Sequence, residues 1–373
     1  MRALARVNLA AIERNCGRLL GALPERSALA AVVKADAYGH GAVPAARAAL
    51  AGGASWLAVA AAEEATELRH AGIDARLLVM GALSPEELEV ALDADADVVA
   101  WREDFVAGVS ARGSGRVHVK LDTGMGRLGT RDPAEATRVL EAVNRASGLT
   151  AAGLMTHFAT ADDRQDAFFA EQLGRFAAWA NPLKQVAPDL VCHAANSAAV
   201  LRDPASHFDL ARCGVGIYGL DPFGEDAAAR ELEAALELHT YVAEVKPCAP
   251  GQSTGYGRTF IAREPTTLGI LPIGYGDGWR RALSNDADAL IAGRRHALVG
   301  TVSMDNVAVN LGSEPEITVG SPAVLIGRQG SELISAEEVA RRLQTINYEV
   351  TCGLLPRARR WYHRDGRPQD GLA

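Results

Sequence analysis

The sequence is poor in residue types that mark several specialised classes of protein. Aromatic residues make up 5% of the 373 positions, and the five cysteines are odd in number and widely scattered. None of the cysteines forms a C-x-x-C pair, so neither a zinc site nor a disulfide framework is indicated. We therefore expect no metal centre.

Long apolar runs are also missing. No apolar stretch approaches the ~20 residues that a membrane helix requires. Near the start, Asn8, Glu13 and Arg14 interrupt the stretch that a secretory signal would need. The formal net charge of −8 argues against a general nucleic-acid-binding protein. These absences predict a cytoplasmic protein that binds neither membranes nor nucleic acid.

The first two-thirds of the chain alternates short apolar runs with helix-like stretches. The runs that we interpret as strands cover residues 30–33, 56–60, 77–80, 98–101, 117–121, 154–158, 190–194 and 210–218. One helix between them starts with the N-cap Ser84, Pro85 at its first position and Glu87 at its third. Strands that alternate with helices pair in parallel through right-handed crossovers. Eight such units in ~250 residues predict a (β/α)₈ (TIM) barrel.

The pattern changes after about residue 237. Short strands are predicted between Gly, Pro and Asp turns, and one helix is predicted at 335–343; the strands are 242–245, 267–272, 297–302, 307–311 and 323–326. We therefore predict a barrel domain over residues 1–236 and a smaller, mainly β domain over residues 237–373. In a barrel, the chemistry belongs at the carboxyl ends of the strands.

A lysine directly follows the first predicted strand, in the segment VKADAYGHG at residues 33–41. Burial favours the neutral amine of Lys34, and a neutral lysine is a nucleophile suited to Schiff-base chemistry. The commoner alternative for one lysine is a side chain that reaches from the strand end to solvent. Tyr38 and the glycines suit a nearby phosphate, although Tyr38 and His40 also fit ordinary loop packing.

The fifth predicted strand carries charged residues on one face. Alternation directs the apolar residues of 117–121 towards the helices, and directs His118, Lys120 and Asp122 towards the barrel mouth. The apolar face covers the core, so the polar face is the candidate for chemistry.

A glycine-rich loop, GMGRLG at residues 124–129, follows this strand and matches G-x-G-x-x-G. The next helix begins only near Asp132, so a dinucleotide-binding turn is not indicated. The better interpretation is a tight loop that directs Arg127 into the site, where its guanidinium can hold a carboxylate.

Polar residues also lie in or just after the last three predicted strands. His157 suits a ring stacked on, or bonded near, a flat cofactor, but a core histidine is about as common. Asn196 and Ser197 fit either a phosphate site or a simple helix N-cap. Arg212 precedes glycines, among them Gly214, at the position where such barrels often bind phosphate.

Two tyrosines of the predicted β domain lie in glycine-flanked loops. Tyr256 is found in GYG and Tyr275 in GYGDG, although such aromatics are often part of simple turns. Met304 and Tyr348 are ambiguous by themselves. The basic run at 357–360 is interpreted as solvated surface.

Together these segments resemble the alanine racemase family. The motifs stand in the family's order over nearly the whole chain: VKADAYGHG, KLDTGMGRLG, THFATAD, HAANSAA, ARCGVGIYG, LPIGYGDGW and TINYEV. The resemblance implies a barrel with a β domain, the cofactor pyridoxal 5'-phosphate, and a head-to-tail homodimer whose active sites are shared between subunits. It also implies interconversion of L-alanine and D-alanine, which supplies D-alanine for the cell wall.

The resemblance implies a role for each matching residue. Lys34 matches the lysine that binds the cofactor and acts as one base, and Tyr256 matches the opposite base, supplied by the partner subunit. Arg212 matches the arginine that faces the pyridine nitrogen, and His157 matches the histidine that links Arg212 to Tyr256. Lys120 matches a lysine that is often carbamylated. The phosphate contacts are Tyr38, Ser197, Gly214, Val215 (through its backbone) and Tyr348. The residues around the substrate carboxylate are Arg127, Tyr275 and Met304.

The same residues also bear on alternative functions. Asp36 replaces the asparagine that is more common in the family, although aspartate also occurs there. The segment before Tyr256 reads Ser-Thr-Gly instead of the usual run ending in serine, and Ser303 stands where many members have cysteine. Both of these last changes are expected near the substrate pocket, so a broader racemase for serine or another small amino acid is the alternative. A decarboxylase of this architecture would have an acidic residue in place of Arg212. A non-catalytic cofactor carrier would lack Tyr256, and a nicotinamide oxidoreductase rests on the glycine loop alone.

Overall fold

The computed structural model describes residues 2–313 and 316–369. The described chain forms two compact units. The barrel unit holds residues 12–223 and 228–233. The β unit holds the described residues within 1–11, 224–227 and 234–373. None of the described helices is long and apolar enough to cross a membrane.

The barrel unit is built on eight parallel strands that pair in chain order. Barrel strands one to eight are Ala28–Val32, Trp56–Val59, Arg76–Val79, Ala96–Ala100, Gly115–Lys120, Leu149–Met155, Val191–His193 and Leu210–Cys213. Backbone hydrogen bonds from Asp209 to Cys192 (3.0 Å) and from Arg212 to Ala195 (2.9 Å) join strands seven and eight. The predicted barrel is confirmed.

One helix precedes the first barrel strand, and the other seven lie between successive barrel strands along the chain. They are Leu9–Leu20, Ala42–Ala51, Ala62–His70, Pro85–Asp93, Glu103–Ala111, Pro133–Arg145, Phe168–Val186 and Ser197–Arg202. The predicted cap is confirmed, because the Ser84 hydroxyl accepts a hydrogen bond from the Glu87 N–H at 3.2 Å. The capping side chain satisfies an N–H that has no partner within the helix.

The β unit contains an eleven-stranded, mainly antiparallel sheet within the described residues. Its strands are Leu4–Asn8, Leu236–Tyr241, Glu244–Cys248, Thr266–Leu271, Asp288–Ile291, Arg294–Val299, Val307–Gly312, Pro322–Gln329, Glu332–Ile334, Arg359–Arg364 and Arg367–Pro368. A separate ribbon pairs Ser253–Thr254 with Phe260–Ile261. The helices of this unit are Ala336–Arg342 and Asn347–Cys352.

The N-terminal strand departs from the predicted division at residues 236 and 237. Leu4–Asn8 pairs with Leu236–Tyr241 and with Arg359–Arg364, so it belongs to the β unit. Its side chains alternate between half-buried and buried positions. That alternation is typical of a strand with one buried face, whereas barrel strands are buried on both faces.

Three other elements differ from the sequence prediction. The eighth barrel strand ends at Cys213 instead of residue 218, because the backbone at Gly214 (φ −107°, ψ −92°) leads into a 3₁₀ turn, Val215–Tyr218. The predicted strand 242–245 spans the connection between two observed strands. The sixth barrel strand ends at Met155, so His157 lies in the following loop.

Candidate active site

Lys34 begins a short segment with left-handed backbone. The φ angles of residues 35–38 lie between 52° and 55°, a conformation that costs an L-residue roughly 1–2 kcal/mol. Glu64 accepts a hydrogen bond from the Ala35 N–H at 2.6 Å, and Asp36 accepts one from the first N–H of the next helix at 2.8 Å. These contacts hold Lys34 at the carboxyl end of the first barrel strand.

The left-handed segment predicts an unusual effect of glycine on stability. Ala35 is exposed and has a φ of 52°, so Ala35→Gly removes a Cβ that opposes the backbone conformation. We expect the variant to raise the free energy of unfolding by up to about 1 kcal/mol. The exposed Ala178 lies in the right-handed helix Phe168–Val186, where Ala178→Gly is expected to lower it by about 1 kcal/mol. Chemical denaturation of both variants checks the opposite signs, and equal losses would contradict the prediction.

A polar cradle joins the first, seventh and eighth barrel strands. A Cβ on Gly214 would lie 2.2 Å from the Tyr38 hydroxyl oxygen, so only glycine fits there. The backbone N–H groups of Gly214 and Gly216 donate to the Ser197 hydroxyl oxygen at 3.1 and 3.2 Å. The Ser197 hydroxyl thus accepts two backbone hydrogen bonds, and it also forms a side-chain hydrogen bond with Cys213. The cradle therefore brings the Tyr38 and Ser197 hydroxyls together at a backbone position where Tyr38 leaves no room for a Cβ.

Two other polar residues of these loops have structural contacts. The Asn196 side-chain oxygen accepts a hydrogen bond from the Ala199 N–H at 2.9 Å and caps the helix Ser197–Arg202. The buried His40 ring stacks on Tyr218 with a centroid distance of 4.4 Å. His40 thus has the loop-packing role, while a contact of Asn196 with a cofactor stays a prediction.

Arg212 is 2% exposed and lies inside the barrel. Its guanidinium donates to the Thr156 and Ala194 carbonyl oxygens at 2.7 and 3.0 Å. It also donates to Nδ1 of His193 at 2.8 Å and to Nδ1 of His157 at 3.3 Å. These four acceptors are neutral, because burial and then the charge of Arg212 lower the pKa of both histidines. Arg212 therefore brings an uncompensated positive charge to the site.

Lys120 lies near Arg212 and is 4% exposed. Burial, followed by the positive charges of Arg212 and Arg127, lowers the pKa of Lys120 to about 8. The charge of Lys34 adds to this shift. The same cations lower the pKa of His157 after the larger effect of burial. Four positive side chains thus converge at this end of the barrel and favour an anionic ligand.

The glycine-rich loop after the fifth barrel strand is shaped by Asp122. The Asp122 carboxylate does not point into the barrel mouth; it accepts hydrogen bonds from the N–H groups of Gly124 and Gly126, each at 3.0 Å. The next helix begins at Pro133, after the N-cap Asp132. The loop is therefore a tight turn that carries Arg127, and the dinucleotide-binding alternative is excluded.

The candidate residues of the β unit lie on linked loops. Tyr256, Met304 and Tyr275 are 72%, 52% and 39% exposed. The Tyr275 N–H donates to the Ser303 carbonyl at 3.2 Å, and a cavity of about 350 Å³ is lined in part by Tyr256 and Ser303. Large side chains gathered at one exposed surface are typical of an interaction site. Tyr348 is half-buried in the helix Asn347–Cys352.

Arg357 is exposed, as the sequence pattern predicted, but its guanidinium also has two structural partners. Its guanidinium binds the fully buried carboxylate of Asp277 at 2.6 and 3.0 Å, and binds Asp305 at 2.7 Å. A buried carboxylate needs such a partner. Arg357 therefore ties together the loops that carry Tyr275 and Met304.

Two family models match the chain, one over most of each unit. The model of the N-terminal domain of alanine racemase matches residues 7–222, and that of its C-terminal domain matches residues 235–362. Alanine racemase 1 of Bacillus subtilis is 40% identical over 367 residues, covering 97% of this chain and 93% of the relative. Alanine racemase of Geobacillus stearothermophilus is 41% identical over 369 residues, covering 97% and 94%.

Solved structures agree with these relatives. The crystal structure of alanine racemase from Bacillus anthracis with bound L-Ala-P has a TM-score of 0.90 and 36% identity, covering 99% of this chain and 97% of that one. The biosynthetic alanine racemase of Pseudomonas aeruginosa has a TM-score of 0.88 and 36% identity, covering 98% and 100%. The fold, the site and these matches define an amino-acid racemase of the barrel type. The chain belongs to the alanine racemase family.

Proposed function

We propose that this protein interconverts L-alanine and D-alanine with pyridoxal 5'-phosphate as its cofactor. The observation that carries the proposal is the grouping of Lys34, the buried Arg212 and the cradle of Tyr38, Ser197 and Gly214 at one end of the barrel. An amine nucleophile, a partner for the ring nitrogen and polar groups for the phosphate are the features by which a protein holds this cofactor.

The residues fit the cofactor at each of its polar ends. Because Gly214 has no Cβ, the Tyr38 hydroxyl can lie against the backbone of this loop, which also holds the Ser197 hydroxyl. Ser197 and Tyr38 would donate to its oxygens, and the surrounding cations favour its negative charge. Lys34 would hold the cofactor covalently through Nζ. When bound, the cofactor makes the Cα hydrogen of an amino acid acidic.

Arg212 would face the ring nitrogen as a donor. Burial lowers the pKa of Arg212 to about 10, so its guanidinium keeps its protons near neutral pH and donates only a hydrogen bond. His157 accepts from Arg212 at Nδ1 and, being neutral, carries its proton on Nε2. That proton can be donated to Tyr256 of the partner subunit, which links the two groups.

Racemisation needs a base on each face of the substrate. We assign Lys34 Nζ to one face and the Tyr256 hydroxyl of the partner subunit to the other, in a head-to-tail homodimer. The exposure of Tyr256, 72% in a single chain, supports this assignment because a base of a shared site must be accessible to a second subunit. Further contacts are proposed for Asn196, Val215 and Tyr348 with the cofactor, and for Arg127, Tyr275 and Met304 with the substrate.

Lys120 is proposed to carry a carbamate formed with CO₂. With a pKa of about 8, about a tenth of its amine is neutral at pH 7, far more than for an ordinary lysine. The neutral amine attacks CO₂ and releases a proton, and the resulting anion would lie among Arg127 and Arg212. We expect a carbamate carbon signal in ¹³C NMR spectra of the protein in ¹³C-labelled bicarbonate. The signal should be absent from Lys120→Met, and its persistence there would contradict the assignment.

The function is tested by racemisation assays of the purified holoenzyme on a panel of small amino acids in both directions. Alanine is expected to have the highest kcat/KM, and deletion of the gene should make growth depend on added D-alanine. A higher kcat/KM for serine would favour the broader racemase, and no racemisation of any amino acid would refute the proposal.

A further inference from the structure

A chain of buried side chains crosses the interior of the barrel and ends at Arg212. Nη1 of Arg212 lies 2.8 Å from Nδ1 of His193, and Nε2 of His193 lies 2.8 Å from Nδ1 of His118. Nε2 of His118 lies 2.9 Å from the Asp97 carboxylate. Each of the four residues is at most 2% exposed. We call Asp97, His118, His193 and Arg212 the buried relay.

The two ends of the buried relay determine where its protons lie. Arg212 can only donate a hydrogen bond, so Nδ1 of His193 must accept. A neutral His193 then carries its proton on Nε2 and donates to Nδ1 of His118. By the same rule, His118 carries its proton on Nε2 and donates to Asp97. A carboxylate at one end and a guanidinium at the other thus allow a single arrangement when both imidazoles are neutral.

The charges around the buried relay keep this arrangement. Burial alone would raise the pKa of Asp97, but hydrogen bonds from His118, Arg76 and Arg116 outweigh it and lower the pKa to about 2. Burial lowers the pKa of His118, and burial followed by the charge of Arg212 lowers that of His193. Asp97 is therefore ionised and both rings are neutral near pH 7.

The packing around His118 leaves its ring little freedom. A Cβ on Gly153 would lie 2.4 Å from Nδ1 of His118, so the neighbouring strand must have glycine there. The Trp56 ring meets the His118 ring edge-on, with a centroid distance of 5.8 Å. The site is thus shaped for an imidazole that bridges Asp97 and His193.

We propose that Asp97 is a positioning residue of the racemase, acting through His118 and His193 to fix the orientation of the Arg212 guanidinium. The inference rests on the proposed function, in which Arg212 faces the cofactor ring. Without the carboxylate, His118 can take the other tautomer and present an N–H to His193. His193 would then present an N–H to Arg212, and the guanidinium would have to move away.

Three variants separate this role from a merely structural one. Asp97→Asn keeps the shape of the side chain but offers an N–H in place of one carboxylate oxygen. His118→Gln keeps a donor for Asp97 and an acceptor for His193, whereas His118→Leu removes both. The control is Asp209→Asn, because Asp209 binds Lys184 at 3.0 Å and the Cys192 N–H, outside the buried relay.

The experiment is ¹⁵N NMR of the full chain labelled at histidine, with the His118 and His193 signals assigned from His118→Gln and His193→Gln. Wild type and Asp209→Asn are expected to show both rings as neutral Nε2–H tautomers. Asp97→Asn should change the tautomer of His193. His118→Leu should keep the Nε2–H tautomer, which Arg212 still imposes, but should shift the His193 signals because its Nε2–H loses its acceptor. His118→Gln should preserve both the tautomer and the signals. Unchanged His193 signals in both Asp97→Asn and His118→Leu would overturn the proposal. If Asp97→Asn does not fold, the two His118 variants decide the result.

The holoenzyme gives a second readout. Asp97→Asn and His118→Leu should lower kcat by about 10-fold with little change in KM, and should shift the ¹⁵N signal of the labelled cofactor ring nitrogen. His118→Gln should stay close to wild type in both measurements. The tautomer measurement needs no turnover, so a wild-type protein that fails to racemise alanine would refute the proposed function without obscuring the result for the buried relay.

Discussion

Lys34→Ala is expected to lower the rate of alanine racemisation by at least about 10³-fold in both directions, because the covalent attachment and one proton-transfer base are lost together. The variant should also fail to retain cofactor after treatment with borohydride, which makes the attachment to wild-type Lys34 permanent. Mass spectrometry of peptides from the treated wild type should place the cofactor on Lys34.

The matched control is Lys246→Ala, which removes an exposed lysine from the strand Glu244–Cys248 of the β unit. Its racemisation rate and cofactor content should equal those of the wild type. Full activity in Lys34→Ala, or attachment of the cofactor to another lysine, would contradict the assignment of the site.

Tyr256→Phe is expected to produce the second-largest loss, about 10²- to 10⁴-fold in kcat for racemisation, since a single base cannot serve both faces of the substrate. Cofactor binding should survive, because Lys34 and the cradle belong to the barrel unit. In D₂O, the variant should still exchange the Cα hydrogen of one alanine enantiomer through Lys34, whereas exchange from the other should be lost. NMR of each enantiomer incubated separately measures the difference.

Tyr241→Phe is the control for a lost hydroxyl, because Tyr241 is half-buried in the strand Leu236–Tyr241 and has no proposed role. Equal exchange from both enantiomers in Tyr256→Phe would rule out Tyr256 as the second base. The shared site is tested by mixing Lys34→Ala and Tyr256→Phe subunits. If the site is shared as proposed, a mixed dimer would contain one site with both native bases, so activity should reappear after subunit exchange.

The order of the strands in the barrel was predictable from the sequence. Barrel strands are buried on both faces, so they form short apolar runs in the sequence. The eighth run shows where this signal is insufficient. Residues 210–218 are continuously apolar except for Arg212 and the glycines, yet the strand ends at Cys213 and a 3₁₀ turn follows. An apolar run indicates that residues are buried, but it does not indicate their backbone conformation. A buried 3₁₀ turn has the same composition as a buried strand.

Much of the candidate site was also predictable, since polar residues after buried strands are conspicuous. Lys34, Lys120 and Arg212 could be selected in this way, and all three lie close enough to His157 for their charges to lower its pKa. The left-handed backbone of residues 35–38 was not predictable, because Ala35 and Ala37 have no preference for it. Contacts from Glu64 and Asp36 support the conformation.

Residues 97, 118, 193 and 212 show which features follow from the sequence alone and which depend on the tertiary structure. Local periodicity in the sequence was enough to put His118 inside the barrel and to assign the chain its alternating architecture, because the repeat of a strand depends on neighbouring residues. That His118 meets Asp97 on one side and His193 on the other depends on the closure of the barrel. Closure brings together residues that are 21 and 75 positions apart, and no local pattern records such a distance.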